Sequence, residues 1–156
     1  MPGAVIIKHI EAASEHVSAT FPQRLAEWLF AAQLCTWGLI LLRPEDTFGL
    51  STSMGPLLRV ATEGTWAWYA ASVGSVRLLA LFVNGWLVPH TYLFRIICSF
   101  LSVLAWLTIS LGLMSSGNAS TGLAVYPWIF VAEMVCLYRT GRDYAHWRDL
   151  QAAARE

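Results

Sequence analysis

Charge is scarce in this chain of 156 residues: only 13% are Asp, Glu, Lys or Arg, about half the share usual in soluble proteins. Ten Lys+Arg balance ten Asp+Glu, so the formal net charge is zero. No global basic field exists to draw in nucleic acid, and no nucleic-acid partner is expected. The three cysteines include no C-x-x-C pair, which excludes a disulfide framework and resembles no zinc site. Histidines stand only at positions 9, 16, 90 and 146, with neither H-x-x-H nor H-E-x-x-H spacing, so no metal centre is expected. The hydroxyls of Ser51 and Ser53 have no histidine on their side of the chain to activate them. No catalytic constellation and no cofactor motif remain, and the expectation is a chain that is not an enzyme and carries no cofactor. Nor does any period of about 20–50 residues repeat itself.

Apolar residues, by contrast, are abundant: 56% of the chain is hydrophobic and the mean hydropathy is +0.53. Crossing a hydrocarbon core of about 30 Å takes roughly 20 mainly apolar helical residues. Four stretches qualify, over residues 25–42, 65–83, 96–114 and 122–138. Arg43-Pro44, Asn84-Gly85 and the run from Ser115 to Asn118 close the first three, and the fourth is the shortest and holds Pro127. None carries the polar stripe that a helix on the surface of a soluble bundle needs. The first run lacks a small-residue cleavage site and is followed by three more spans, which argues against a signal peptide.

The expected fold is therefore all-α: an integral membrane four-helix bundle with amphipathic N- and C-terminal flanking helices. Residues 1–23 form an interfacial segment, 24–138 the membrane domain and 139–156 a charged tail. Ile6, Ile10, Ala13 and Val17 share one helix face, as do Tyr144, Trp147, Leu150 and Ala154, and such faces suit an interface. With four spans both termini lie on one side. That side gathers Lys8, Arg24, Arg95, Arg139, Arg142, Arg148 and Arg155, against Arg43 and Arg59 on the other. The excess of positive residues places both termini of a multi-pass membrane protein on the cytoplasmic side. Trp28 and Trp86 then fall near the inner interface, Trp66 and Trp68 near the outer one. Leu57, Leu58, Val60 and Ala61, with Arg59 and Glu63, read as a short interfacial helix. Asn118-Ala119-Ser120 matches a glycosylation sequon, a pattern common by chance.

Charges at bilayer depth are costly and need partners. Arg77 lies 12 residues into the second span and Glu133 lies 11 into the fourth, and under the topology above both spans run the same way. They share one depth, so an intramembrane ion pair between Arg77 and Glu133 is expected, either as glue between helices or lining a path. Glu27, at the start of the first span, stands at the height of Arg95 and Arg24 and can meet either, or join the Arg77–Glu133 pair. Gln33 and Thr36 lie deeper on that helix and are expected to hydrogen-bond to a neighbouring one. Ala70/Gly74, Ala71/Ser75 and Thr108/Gly112 are small pairs four residues apart that permit close helix contact.

The runs RLAEWLFAAQLCTWGLILLRPEDTF, VRLLALFVNG and STGLAVYPWIF resemble a group of small four-helix inner-membrane proteins of bacteria, phages and prophages, some of them labelled holin-like. The resemblance extends from Arg24 to about Tyr138, and the charged stretch from Arg139 to Glu156 is similar to the tails that holins often carry. Holins oligomerise and permeabilise the inner membrane to release a lytic enzyme. What the resemblance implies is a non-enzymatic phage or prophage protein that acts by helix association in the host bilayer, as a homo-oligomer or with a membrane-complex partner. The residues leave open a small proton- or cation-coupled transporter or channel using Glu27 or Glu133, and an accessory subunit of a larger membrane complex.

Overall fold

A computed structural model describes residues 24–83 and 90–155, with backbone only at 90 and 91. The amphipathic segment expected over residues 1–23, and Trp86, lie outside the described residues. Those described form helices and loops, with no strand among them. Residues 24–41 are helical (α1); α2 follows over Gly55–Leu58, α3 over Glu63–Val83, α4 over His90–Ser115 and α5 over Tyr126–Ala153.

Local chemistry sets these boundaries. Pro44 lies just past the end of α1, where it cannot continue a helix. Ahead of α3, the Thr62 hydroxyl accepts the backbone N–H of Thr65 at 3.3 Å, satisfying one of the four orphan donors of a helix start. The hydroxyls of Ser115 and Ser116 donate to the carbonyls of Gly112 and Leu113 as α4 ends, and Gly117 then takes φ +69°, a left-handed turn that glycine makes without strain. The chain re-enters through a 3₁₀ turn over Thr121–Ala124. Pro127 opens α5, its missing N–H falling where no helical partner exists.

Among the described residues, three helices are long and apolar enough to cross a membrane: Glu63–Val83, Tyr92–Ser115 and, counting the 3₁₀ turn, Thr121–Ala153. Helix α1, expected as a span over 25–42, is not among them; Arg24, Glu27 and Gln33 lower its hydropathy. The charged stretch after Tyr138 is not a separate helix but the continuation of α5. Its aromatic side packs back onto the bundle, Trp147 stacking on Tyr92 at 5.9 Å between ring centroids.

α1 and α3 cross at glycine. A Cβ on Gly74 would stand 2.6 Å from the Cα of Cys35, and one on Gly38 would stand 2.8 Å from the carbonyl oxygen of Ala67. Only a residue without a side chain permits this approach. It seats Ala70 and Ala71 of the small pairs, and it leaves Cys35 Sγ 3.4 Å from Ser75 Oγ. At the end of the bundle opposite Arg24 the chain over 42–62 folds inward. Phe48 and Leu57 are buried, the Trp66 indole N–H donates to the Leu57 carbonyl at 3.2 Å, and the Glu63 carboxylate accepts the N–H groups of Thr47 and Phe48, each at 3.0 Å. Of the short helix expected over residues 57–63, only Leu57 and Leu58 are helical: α2 ends at Leu58, residues 59–62 are non-helical, and Glu63 opens α3. α2 closes this loop end by pressing Leu57 against Gly112.

Candidate functional site: two buried ion pairs

The core changes character along its length. From the loop end inward it is mainly apolar: Phe48, Leu57, Leu113, Ile109, Leu34 and Trp106 are all buried, and the buried Ser110 donates its hydroxyl to the Trp106 carbonyl. Trp106 stacks on Tyr126 with centroids 5.7 Å apart. Below Trp106 the inward faces turn polar. On α4 this face carries Ser102, Ser99 and Arg95; on α5 it carries Glu133, Cys136 and Thr140, and all six are buried. Spacings of three and four residues stack them along single helix faces.

The deep pair lies just beneath Trp106. Arg77 of α3 sends Nη1 to both oxygens of Glu133 of α5, at 2.6 and 2.8 Å, and both residues are fully buried. Ser102 of α4 donates its hydroxyl to the same carboxylate. Three helices therefore meet on one carboxylate. Arg77 and Glu133 stand where the depth arithmetic placed them; Ser102 was not anticipated. Its signal was present in the sequence: Arg95, Ser99 and Ser102 recur at the i, i+4, i+7 spacing of one face in an otherwise apolar run.

Seven residues along α4, about 10 Å at 1.5 Å per residue, lies the second pair. Of the partners open to Glu27, the structure selects Arg95, whose Nη2 reaches both carboxylate oxygens at 2.9 Å. Asp143 of α5 approaches the same nitrogen at 3.6 Å. This cluster links α1, α4 and α5, so the two clusters together join α1, α3, α4 and α5. Asp143 belongs to the stretch read as a charged tail, and only the unbroken run of α5 brings it back to the bundle.

Gln33 and Thr36 behave otherwise. Both are exposed on the outside of α1 and neither bonds to another helix among the described residues. This corrects the expectation of interior contacts, and helical phase explains it. Glu27, Ala31, Leu34, Gly38 and Leu41 are buried, and at 100° per residue they form one stripe, which leaves positions 33 and 36 pointing away.

Each guanidinium engages its carboxylate through a single nitrogen. Nε and Nη2 of Arg77, Nε and Nη1 of Arg95, Ser99 Oγ and Trp106 Nε1 are buried without a hydrogen-bond partner among the described residues. Such groups are rare and costly, so the seam is polar beyond what its two pairs satisfy. Chemically the arrangement holds helices together. Both oxygens of Glu133 are already engaged, and among the described residues no three His, Cys, Asp or Glu side chains converge as a metal site. Compared with known proteins, the chain matches no family model, no curated protein and no solved structure.

Proposed function

We propose that the chain is an integral membrane four-helix bundle, non-enzymatic, that works by helix association in the plane of a bacterial inner membrane in the holin-like manner. Both termini face the cytoplasm on this reading. Arg24, Arg95 and Arg139 then mark the inner end of the bundle, and Arg43 and Arg59 the outer one.

The observation that carries this reading is the outward Gln33. It lies nine residues along α1 from Arg24, about 14 Å in, on a face that also exposes Leu29, Leu39 and Ile40. A carboxamide at that depth has donors and an acceptor that lipid tails cannot meet, whereas a second helix can. One copy of Gln33 satisfies another, since the group both donates and accepts. Meanwhile Glu27 and Glu133 are each engaged by an arginine inside the chain, which leaves neither as an open carrier for a transported proton or cation. That disfavours the transporter reading.

The experiment is expression of the chain alone in a bacterium together with a cytoplasmic muralytic enzyme. The holin-like reading expects collapse of the membrane potential and release of the enzyme, both suppressed by Gln33→Leu. Intact potential with a Gln33-dependent association to host membrane proteins would replace it with the accessory-subunit reading. Intact potential and a monomer insensitive to Gln33→Leu would overturn association altogether.

A further inference from the structure

We propose that α1 pairs in parallel with α1 of a second copy about a twofold axis, Leu29, Gln33, Thr36 and Ile40 of each chain meeting their own counterparts. The inference rests on the membrane reading above and fixes the partner and the register of the face that carries it. On α1 the buried positions Ala31, Leu34, Gly38 and Leu41 occupy one side, and Leu29, Ala32, Gln33, Thr36, Leu39 and Ile40 are exposed on the other. Among the described residues α3, α4 and α5 are long and apolar enough to cross a membrane, and α1 falls short of them. The helix least suited to lipid is thus the one whose outward face carries a carboxamide and a hydroxyl, groups that hydrocarbon leaves unsatisfied and a second helix satisfies.

Orientation and symmetry then select the register. The excess of Lys and Arg at one end inserts every copy the same way up, so α1 of one chain runs alongside α1 of the other with equal depths level. A twofold face must match itself residue by residue. Gln33 and Thr36 do so, because a carboxamide and a hydroxyl each donate and accept, and none of the exposed positions from Leu29 to Ile40 is charged. Steps of four, three and four residues through 29, 33, 36 and 40 make the seam of a left-handed pair, in which one polar residue at a core position fixes the register. The seam runs about 17 Å at 1.5 Å per residue. Arg43, the next step along it, lies beyond the end of α1 and is exposed, so its like charges meet in water rather than in the contact.

The test uses the full chain in bacterial membranes, with single cysteines introduced one at a time and oxidised with copper phenanthroline. A disulfide needs Cα atoms within about 7 Å of each other, so it forms only where the two helices face one another. The native cysteines set the baseline: Cys35 lies against Ser75, and Cys98 and Cys136 are buried, so the unsubstituted chain should give no covalent dimer. Leu29→Cys, Thr36→Cys and Ile40→Cys should each give at least about fivefold more covalent dimer than Ala32→Cys or Leu39→Cys. In detergent, Gln33→Leu should raise the dimer dissociation constant about tenfold, whereas Gln33→Asn, which keeps both donor and acceptor, should hold it within about threefold. Circular dichroism checks that both Gln33 variants stay helical. Dimer concentrated at positions 32 and 39 overturns the register, equal yield at all five positions overturns a fixed pair, and no dimer at any of them overturns the second copy as partner. An unchanged dissociation constant in Gln33→Leu overturns the part given to the carboxamide. The functional reading fails separately: collapse of the membrane potential without cross-links through α1 removes the pair alone, and cross-links with an intact potential remove the holin-like reading alone.

Discussion

Neutralising Glu133 tests whether the deep pair is an energetic unit. Glu133→Gln keeps the shape of the side chain and an acceptor for Ser102, yet it leaves the fully buried Arg77 charge without the carboxylate it contacts at 2.6 and 2.8 Å. Among the described residues no other acceptor reaches that guanidinium, since its Nε and Nη2 already lack partners. Removing one member of a buried pair costs about 3–5 kcal/mol, a large part of the roughly 5–15 kcal/mol that holds a domain together. Arg77→Met exposes the opposite defect, a carboxylate held by Ser102 alone, at a similar cost of about 3–5 kcal/mol. The double variant buries no charge; it leaves a neutral amide at position 133 with Ser102 beside it, which costs less than an unpaired buried charge. It should therefore be more stable than the sum of the single changes by at least about 3 kcal/mol. The assay is a double-mutant cycle in mixed detergent micelles, unfolding followed through tryptophan fluorescence. Additivity within about 0.5 kcal/mol would refute the coupling and with it the claim that this contact fixes α3 against α5.

The remaining predictions probe the other contacts. Asp143→Asn should cost no more than about 1 kcal/mol, because the Asp143 side chain is 45% exposed and lies 3.6 Å from Arg95. Glu27→Gln should cost about 3 kcal/mol by stripping Arg95 of the carboxylate that its Nη2 contacts, and the same unfolding assay ranks the two. Gly74→Val should abolish the native fold, since a Cβ there would stand 2.6 Å from the Cα of Cys35. Gly141→Ala, in the α5 interior with nothing within 4 Å of a new Cβ, should stabilise by about 0.5–1 kcal/mol. Glu63→Ala removes the acceptor of the Thr47 and Phe48 N–H groups, so limited proteolysis within 42–62 should quicken while the helices stay resistant.

Depth along a helix is a one-dimensional quantity, fixed by counting residues at 1.5 Å each, and so Arg77 and Glu133 could be set at one level from sequence alone. Helix stops were legible for a similar reason: Pro44 and Gly117 act on their own backbone and need no partner. What escaped is what depends on several elements at once. Ser102 matters because α4 turns it towards a carboxylate on α5. Asp143 matters because α5 continues unbroken past Tyr138, where composition turns charged and a tail is the natural reading. Glu63 binds the backbone of residues 47 and 48, a contact set by the path of a whole loop.

Gln33 and Thr36 show that phase, unlike depth, needs an anchor. Read as isolated polar groups in an apolar run, they invite an inward placement, because the interior is where polar groups find partners. A charge is the stronger anchor, since a carboxylate such as Glu27 costs more to bury without a partner than an amide does. Turning Glu27 inward fixes the stripe of Ala31, Leu34, Gly38 and Leu41 at 3.6-residue spacing, with the one glycine of that stripe at the crossing with α3. On that phase Gln33 and Thr36 must point away, so the same residue that locks α1 to Arg95 also presents the polar face on which association would depend.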